Sequence, residues 1–302
     1  MNGKRSHLVL VNPSAGGGRA RELLPRLEGA LRDHDVDHRL VMTTSLDHGI
    51  DEARRAAADG EAVVVMSGDG LIGQIGGALA ETDAPMGVIP GGRGNDFARV
   101  LGIPTEIPDA VALIARGETR KVDVGEVNGR RFLGIASCGF DSDANRIANE
   151  ARLLKGNLVY LYAALRALAA WKPARFEVTL DGEARAFTGY AVAAANNRAY
   201  GGGMYLAPDA ELDDGKLDVV TTGDVSKLHC LVNLPKVFSG SHVDNEEVTV
   251  LRGAEVEISA DRPFAVYADG DHLADLPARV RVLPRALDVI APQVALVGPH
   301  RR

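Results

Sequence analysis

The segment VVVMSGDGLIGQIGGALA, at residues 63–80, constrains the fold more than any other part of the chain. A β-branched run leads directly into a glycine-rich turn, and apolar residues at helical spacing follow that turn. A buried strand that enters a helix in this way is typical of a sheet with helices on its faces. The N–H groups of such a turn, together with the start of the helix, form a site for phosphate oxygens. The segment therefore predicts an α/β fold with a phosphate site at the turn.

Two other nucleotide-binding motifs, the dinucleotide-binding pattern and the P-loop, also contain glycine-rich turns. Gly68, Gly70 and Gly73 satisfy the G-x-G-x-x-G pattern of dinucleotide-binding folds. That pattern requires an acidic residue near the end of the next strand, but the run at 86–89 is followed by Pro-Gly-Gly-Arg, which weakens it. A P-loop is excluded, because no G-x-x-x-x-G-K-[ST] sequence occurs. A carboxylate at Asp69 would repel phosphate unless a divalent cation lay between them, so the turn predicts Mg²⁺ and a polyphosphate; the alternative is an ordinary Asp-Gly turn.

Two further glycine-rich turns follow apolar runs in the first third of the chain. NPSAGGG begins at Asn12, after the run at 7–11, and PGGRGND occupies residues 90–96. Short β-branched runs alternate with helical stretches up to about Lys121, and Asp47 is a predicted helix N-cap. Turns at the ends of neighbouring strands converge on one crevice of an open α/β sheet. We therefore expect the three turns to line a single ligand site.

The pattern changes after about residue 122, where strands follow one another. This favours an antiparallel sandwich or barrel. The candidate strands lie at 122–127, 131–136, 175–180, 187–194, 217–221, 255–260, 264–268 and 279–283. A helical stretch at 158–171 is apolar on nearly every side, which predicts a core helix, with a lipid-facing helix as the alternative. A length of 302 residues fits two domains.

Composition limits the partners and the compartment. The chain has 34 Lys and Arg against 41 Asp and Glu, and its formal charge of −7 argues against a nucleic-acid partner. Cys138 and Cys230 are too few for a disulfide scaffold and fit a cytoplasmic protein. No segment reaches the roughly 20 apolar residues of a membrane span, so we expect any membrane contact to be peripheral, at the inner face of the membrane. A candidate docking patch for that contact consists of Arg152, Lys155, Lys172 and Arg175.

The three turns resemble the motifs of a known family. NPSAGGG, SGDGL and PGGRGNDFARVLG are similar to the NP-x-x-GG, GGDGT and P-x-GT-x-NDFAR motifs of the diacylglycerol kinase catalytic domain family, which includes bacterial lipid kinases and the sphingosine and ceramide kinases. Residues 209–218 and 268–271 are similar to its P-x-A-x-x-x-DG-x-L and DGE segments. The resemblance covers nearly the whole chain, and the order and spacing of the motifs make it specific.

The resemblance implies a two-domain architecture of α/β + β class. An N-terminal open α/β nucleotide-binding domain would span residues 1–122 and include a returning C-terminal segment at about 287–302. A C-terminal antiparallel β-sandwich domain, at 123–286, would hold the lipid acceptor. ATP would lie in the cleft between the two domains, with Mg²⁺ as the second cofactor.

The resemblance also assigns roles to individual residues. Asp269 would accept the proton of the acceptor hydroxyl, and Asp69 would organise metal and phosphate. Bacterial members carry a further Mg²⁺ near the DG-x-L segment, which here would use Asp214 with the backbone carbonyls of Glu211 and Lys216. The implied nucleotide-binding residues are Asn12, Thr43, Ser67, Gly68, Asp69, Gly70, Leu71, Ile72, Gly73, Arg93, Asn95 and Asp96.

Several positions depart from the family pattern. Leu71 and Arg93 each stand where the family has Thr, and Asp271 stands where it has Glu. Arg93 can supply bidentate phosphate contacts in place of the hydroxyl. Asp269 and Gly270 have a second interpretation as the turn of a β-hairpin, and the acidic residues at 213–218 have one as a solvated turn.

The resemblance implies a kinase that transfers the γ-phosphate of ATP to a lipid hydroxyl. Its first candidate acceptor is diacylglycerol, which would give phosphatidic acid. Two alternatives stay open. One is a related kinase for a sphingoid or other hydroxyl acceptor, including NAD. The other is a nucleotide- or lipid-binding module without turnover. The sequence also leaves open whether the protein forms a homo-oligomer.

Overall fold

The computed structural model describes residues 5–140, 142, 166, 168 and 170–293. In this part of the chain the strands are β1 (His7–Val11), β2 (His38–Met42), β3 (Ala62–Ser67), β4 (Met86–Pro90), β5 (Thr119–Val127), β6 (Arg130–Phe132), β7 (Ile135–Gly139), β8 (Ala174–Leu180), β9 (Glu183–Ala195), β10 (Leu217–Gly223), β11 (Val248–Gly253), β12 (Glu255–Ala260), β13 (Ala265–Ala268), β14 (Asp271–Asp275) and β15 (Ala278–Ile290). The α-helices of the same residues are α1 (Arg19–Glu22), α2 (Leu24–Asp33), α3 (Leu46–Ala58), α4 (Asp69–Leu79), α5 (Asp96–Leu101), α6 (Ile107–Arg116), α7 (Lys227–Asn233) and α8 (Lys236–Ser239).

The first third of the chain is the predicted α/β domain. Its strands pair in the order β2-β1-β3-β4, and every pair is parallel. β3 is buried along its whole length, as its apolar sequence requires. Helices α2, α4 and α6 contribute Leu31, Ile72, Ile75 and Ile114 to the core against this sheet. The carboxyl ends of β1, β3 and β4 therefore meet at one edge of the sheet.

Helix α3 begins earlier than the sequence predicts. Ser45, not Asp47, is its N-cap: the Ser45 hydroxyl oxygen accepts the N–H of His48 at 3.1 Å. The backbone at Ser45 is extended, as a cap requires, whereas Asp47 already lies in the first helical turn. There its negative charge still favours the helix dipole.

The rest of the described chain is antiparallel. β9 pairs with β7, β8 and β10, and the sheet continues from β8 through β12 to β15. A second core cluster lies within this β-sandwich domain, and it contains Phe132, Phe176, Val256 and Phe264. The predicted strands are present, but the run at 131–136 is divided between β6 and β7. The division falls at Leu133 and Gly134, whose N–H groups turn to a carboxylate far away in the sequence. Neither β11 nor β14 was predicted, and neither were α7 and α8.

β15 joins the two halves of the molecule. It pairs with β12 near its start, with β5 on both sides of an irregularity between Leu283 and Leu287, and with β4 at Val289. The predicted boundary at residue 122 falls inside β5. Of the predicted returning segment, 287–290 belong to β15, and residues 294–302 lie outside the described residues.

Some sequence expectations fall where the structure gives no description. Most of the predicted helix at 158–171 lies outside the described residues, as do Arg152 and Lys155 of the predicted docking patch. Among the residues that are described, no helix has the length and apolar character needed to cross a membrane.

Candidate active site

The structure brings the three glycine-rich turns together at the edge of the parallel sheet. The Asn12 amide, after β1, donates to the Ser67 hydroxyl at the end of β3 at 3.3 Å. The Gly91 N–H, after β4, donates to the Ser67 carbonyl at 2.9 Å. Gly68 and Gly92 touch through their backbones, and a β-carbon on Gly92 would overlap with Gly68. Glycine is therefore required where the turns after β3 and β4 meet.

Helix α4 begins at this junction. Its N-cap is Gly68, which has no side chain to accept the N–H groups of the first turn. The side chains of Leu71 and Ile72 are buried in the core, and only the main chain of these two residues can contact a ligand. The Ile72 N–H already donates to the Gly68 carbonyl at 3.2 Å. Leu71 packs toward Gly49 of α3, so the side chain that stands where the family has Thr is a core side chain here.

Asp69 faces the start of α5. Its Oδ1 accepts the N–H of Phe97 at 3.3 Å, and the N–H groups of Asn95 and Asp96 add to this interaction. Burial, followed by the neighbouring Asp96 carboxylate, raises the pKa of Asp69 above its ordinary value, and the three N–H groups act in the opposite direction. Asp69 thus connects the turn after β3 to the helix after β4. Sequence reasoning did not identify these partners.

The turn after β4 is closed by its own side chains. Asn95 has φ 53°, and its amide group both accepts the Gly92 N–H at 2.9 Å and donates to the Gly92 carbonyl at 3.1 Å. Asp96 is buried; its Oδ2 accepts the Gly202 N–H at 2.7 Å, and its Oδ1 pairs with Arg99 at 2.5 Å. Asp96 therefore ties the α/β domain to the glycine loop at 201–203.

Arg93 and Thr43 lie at the margins of this edge. Arg93 is exposed, and its guanidinium is adjacent to Gly17 in the turn after β1, where a β-carbon would stand 3.7 Å from Nη2. Thr43 follows β2 and is buried; its hydroxyl lies 3.4 Å from the Val11 carbonyl and donates to it. Of these two side chains, Arg93 is the one that is open to a ligand.

Asp269 reaches the same edge from the β-sandwich domain. Asp269 and Gly270 form the two-residue turn between β13 and β14, with φ 53° and 92°, so the hairpin interpretation is confirmed. The turn directs the Asp269 carboxylate inward, where Oδ2 accepts the Leu133 N–H at 2.8 Å and Oδ1 accepts the Gly134 N–H at 2.9 Å. A β-carbon on Gly73 would stand 2.9 Å from the Asp269 Cγ. Helix α4 and the hairpin are therefore in direct contact.

The environment of Asp269 perturbs its ionisation strongly. Burial raises the pKa of this carboxyl from 3.8 to about 7, the carboxylates of Asp69 and Asp271 act in the same direction, and the two N–H donors oppose the rise. Asp271 accepts a hydrogen bond from Gln74 of α4 at 3.2 Å. Asp269 as a whole residue is half-buried, and its carboxylate is packed between Gly73 and Gly134.

Asp69 can offer a divalent cation one carboxylate, although no three His, Cys, Asp or Glu side chains of the described residues are grouped to hold a metal. The Asp96 carboxylate raises the pKa of Asp69, and the Asp69 carboxylate raises the pKa of Asp269. Repulsion between these charges therefore disfavours the ionised forms. A hard cation with oxygen ligands would remove this repulsion. The uncapped first turn of α4, with glycines at 68, 70 and 73, equally fits phosphate oxygens. The residues present are therefore compatible with both cofactors that the sequence implies.

Asp123 and Asn196 are two fully buried polar residues that bind main-chain groups of other segments. Asp123 of β5 is fully buried and accepts the N–H groups of Gly215 at 2.7 Å and Arg285 at 2.6 Å, while burial raises its pKa. Asn196, which directly follows β9, is also fully buried and donates to the Leu133 carbonyl at 3.0 Å. It fixes the peptide that holds Asp269. A lone acidic residue within the apolar run VDV was the available signal for Asp123.

The predicted second metal site is occupied by ion pairs. Asp214 pairs with Arg252 through Oδ2, and its Oδ1 accepts the Lys216 N–H at 3.0 Å. Asp218 is buried, and burial raises its pKa to about 6. Glu211 is exposed. Within the described residues no three His, Cys, Asp or Glu side chains are grouped to hold a metal, so a cation here would have Asp214 as its one side-chain ligand and would compete with Arg252.

Comparisons with known proteins identify relatives of both halves. Residues 6–127 match the diacylglycerol kinase catalytic domain, and residues 134–291 match the YegS C-terminal NAD kinase beta sandwich-like domain. The chain is 35% identical over 293 residues to a diacylglycerol kinase of Mycobacterium tuberculosis, with 94% of each chain covered. It is 26% identical over 294 residues to a diacylglycerol kinase of Bacillus subtilis, covering 94% of this chain and 96% of that protein. The crystal structure of a diacylglycerol kinase from Bacillus anthracis shares the fold, with a TM-score of 0.77 and 22% identity over 97% of this chain and 98% of that one.

Proposed function

The chain belongs to the diacylglycerol kinase catalytic domain family of lipid kinases, and we propose that it transfers the γ-phosphate of ATP to the hydroxyl of diacylglycerol. The observation that carries the proposal is the position of Asp269. Two backbone N–H groups hold its carboxylate against the first turns of α4, beside the glycine-rich edge of the parallel sheet. A carboxylate and a phosphate-binding helix terminus in contact are the two parts that phosphoryl transfer to an alcohol requires.

Asp269 is proposed as the general base. A carboxylate has about four acceptor positions, and the N–H groups of Leu133 and Gly134 use two of them. The remaining positions are available to the acceptor hydroxyl. A pKa of about 7 suits this role, because a general base works best when its pKa lies near the operating pH.

The nucleotide is proposed to bind along the three turns. The main-chain N–H groups of residues 68–73 would donate to phosphate oxygens, with Arg93 as the exposed cation beside them and Asn12, Thr43, Ser67, Asn95 and Asp96 shaping the turns. Asp69 is proposed to hold Mg²⁺. When bound, ATP supplies the phosphoryl group and Mg²⁺ neutralises the charge on its oxygens. A second Mg²⁺ at Asp214, with the carbonyls of Glu211 and Lys216, remains a proposal that must account for Arg252.

The domain assignment is likewise a proposal. Residues 1–122 with 287–302 would bind the nucleotide, and residues 123–286 would bind the acceptor. The strand β15, which runs from β12 to β4, supports a returning C-terminal segment. Because residues 134–291 match an NAD kinase beta sandwich-like domain, NAD is the competing acceptor.

The base role is tested by Asp269→Asn. We expect this substitution to abolish acceptor-dependent ADP release from ATP and Mg²⁺ while leaving the dissociation constant of ATP unchanged. The matched control is Asp275→Asn, because Asp275 lies at the other end of β14 and its side chain is exposed. Retained turnover in Asp269→Asn would remove this residue from the base role.

The acceptor is tested by ADP release from the unmodified protein. Diacylglycerol, a sphingoid base and NAD are compared at equal concentration with ATP and Mg²⁺, and diacylglycerol is expected to accelerate release most. Faster ADP release with NAD or with the sphingoid base would show that diacylglycerol is not the preferred acceptor, while the protein would still be a kinase. ATP binding without ADP release in the presence of any acceptor would instead indicate a binding module.

A further inference from the structure

Exposed large apolar side chains are concentrated in one segment of the described chain. Over all described residues they are Leu46, Leu228, Leu231, Val232, Phe238 and Val250. Four of these six lie at 228–238. Leu228 is 71% exposed, Val232 66% and Phe238 56%. Single exposed apolar residues are common, but a cluster of them marks a surface that contacts another molecule or a membrane.

The cluster is presented by two short helices. Leu228, Leu231 and Val232 have helical i, i+3, i+4 spacing in α7 and therefore share one face. Neither α7 nor α8 contains a fully buried residue, although Cys230, on another side of α7, packs against the core of the β-sandwich domain. We call the side chains of Leu228, Leu231, Val232 and Phe238 the apolar face.

Polar contacts, together with the packing of Cys230 against the β-sandwich core, hold α7 in position. Ser226 caps the helix by accepting the His229 N–H at 3.2 Å, and His229 pairs with Glu247. A helix of seven residues is unstable alone, so these contacts are needed to keep it folded in water. They fix the side of α7 that turns toward the protein and leave the apolar face outward.

The charge around the apolar face differs from that of the whole chain. Residues 225–243 contain no Asp or Glu but include Lys227 and Lys236, while the formal charge of the chain is −7. Lysines that flank exposed aliphatic side chains are typical of protein surfaces that bind anionic lipid. The segment thus has two lysines and no acidic residue, with Asp224 and Asp244 at its borders, in a chain whose formal charge is −7.

The composition of the segment favours a bilayer over a protein partner. Energetically important residues of protein interfaces are mostly Trp, Tyr and Arg, and lysine is depleted there. Residues 225–243 contain no Trp, Tyr, Arg or Met. Leu, Val and Phe beside Lys suit the boundary between acyl chains and anionic headgroups.

The apolar face is connected to the candidate active site through a few residues. The Tyr205 N–H donates to the Val237 carbonyl of α8 at 2.8 Å, and the His242 ring donates to the Leu206 carbonyl at 3.1 Å. Three residues before Tyr205, the Gly202 N–H donates to Asp96. Residues 202–206 therefore connect α8 to Asp96 of the candidate active site.

We propose that α7 and α8 dock the protein on bilayers that contain anionic lipids, with Leu228, Val232 and Phe238 inserted among the acyl chains. The inference rests on the proposed lipid-kinase function, because it supplies that enzyme with its acceptor. It assigns the contact to a surface that contains none of the residues of the docking patch predicted from the sequence.

The test is vesicle sedimentation with the full chain. Vesicles of phosphatidylcholine with and without phosphatidylglycerol are mixed with wild type, with the double variant Leu228→Gln/Val232→Gln and with Leu46→Gln. Leu46 is a matched control, because it is an exposed leucine on α3. We expect wild type and Leu46→Gln to bind the anionic vesicles, and the double variant to lose about tenfold or more in partition coefficient.

Charge and folding are checked separately. Lys227→Glu/Lys236→Glu is expected to weaken binding to anionic vesicles and to leave binding to neutral vesicles unchanged. The double variant is expected to keep the thermal midpoint of wild type and its rate of ADP release with monomeric dioctanoylglycerol. These two readouts separate loss of docking from loss of folding.

Three outcomes would overturn the docking surface: no vesicle binding by wild type, equal binding by the double variant, or loss of self-association in the double variant with vesicle binding intact. The last outcome would assign the apolar face to a second copy of the chain. If the protein releases ADP but the double variant binds vesicles like wild type, the docking proposal is wrong and the kinase proposal stands. If no acceptor causes ADP release, the kinase proposal is wrong, and the vesicle result is unaffected.

Discussion

The contact between Gly73 and Asp269 allows a stringent test of the site. Gly73 lies within α4, and a β-carbon there would stand 2.9 Å from the Cγ of Asp269 and 3.0 Å from its Cβ. Asp269 has little room to move away, because it occupies a two-residue turn and its carboxylate accepts the N–H groups of Leu133 and Gly134. We therefore expect Gly73→Ala to push the carboxylate away from these two donors.

The magnitude follows from three opposing contributions. Alanine in place of glycine inside a helix stabilises it by about 1 kcal/mol. Overpacking costs about 1–3 kcal/mol, and each buried N–H left without an acceptor costs about 1–3 kcal/mol. The destabilising contributions are larger than the helix gain, and with both N–H groups left unpaired Gly73→Ala should lower the free energy of unfolding by roughly 2–8 kcal/mol. The displaced base should also reduce acceptor-dependent ADP release by a factor of about 10²–10⁴.

The control is Gly29→Ala, at a position inside α2 where a β-carbon would meet no atom within 4 Å. This variant should gain about 0.5–1 kcal/mol and keep full activity. Urea denaturation measures both free energies, and calorimetric titration checks that Gly73→Ala still binds ATP. If Gly73→Ala proves as stable and as active as Gly29→Ala, the hairpin is not packed against α4 in the way that this reasoning requires.

The remaining predictions concern the charge of Asp269 and the nucleotide. Burial raises the pKa of folded Asp269 to about 7 from 3.8, so between these values the folded protein keeps a proton that the unfolded chain has lost, and stability falls as the pH rises through this window. Asp269→Asn lacks this carboxyl, and its free energy of unfolding relative to wild type should rise by roughly 2.5 kcal/mol between pH 5 and pH 8 in urea titrations; a constant difference would contradict the raised pKa. Arg93→Ala should raise the KM for ATP about tenfold with little change in kcat, because it removes an exposed cation beside the phosphate turns, and an unchanged KM would exclude Arg93 from the nucleotide site.

The parallel sheet and its glycine-rich edge were predictable because their signals are local. A β-branched run, a glycine turn and a helix lie within 18 consecutive residues at 63–80, and two similar turns repeat the pattern. Neighbouring parallel strands place such turns at one edge without further information. Asp269 was also found from its strand and its resemblance to a family motif, but its partners were not.

The parts that sequence reasoning missed depend on distant contacts. Leu133 and Gly134 lie more than 130 residues before Asp269, and nothing in their sequence indicates that their N–H groups hold a carboxylate. Asp69 was interpreted from its own turn, whereas its partners belong to α5. Helix α7 was overlooked because its apolar residues face outward, and pattern analysis expects such residues to face a core.

The presence of aspartate rather than asparagine at position 269 supports a catalytic role for this residue. A two-residue turn with positive φ at both residues accommodates asparagine as well as aspartate, and asparagine carries no charge that must be buried. Aspartate here has a pKa of about 7 despite two hydrogen bonds, which means that burial of its charged form destabilises the fold near neutral pH. A purely structural turn gains nothing from this loss of stability, whereas a general base needs a carboxylate whose pKa lies near neutral. Near neutral pH the stability lost by burying the charge and the activity gained from it should change in opposite directions when Asp269 is replaced.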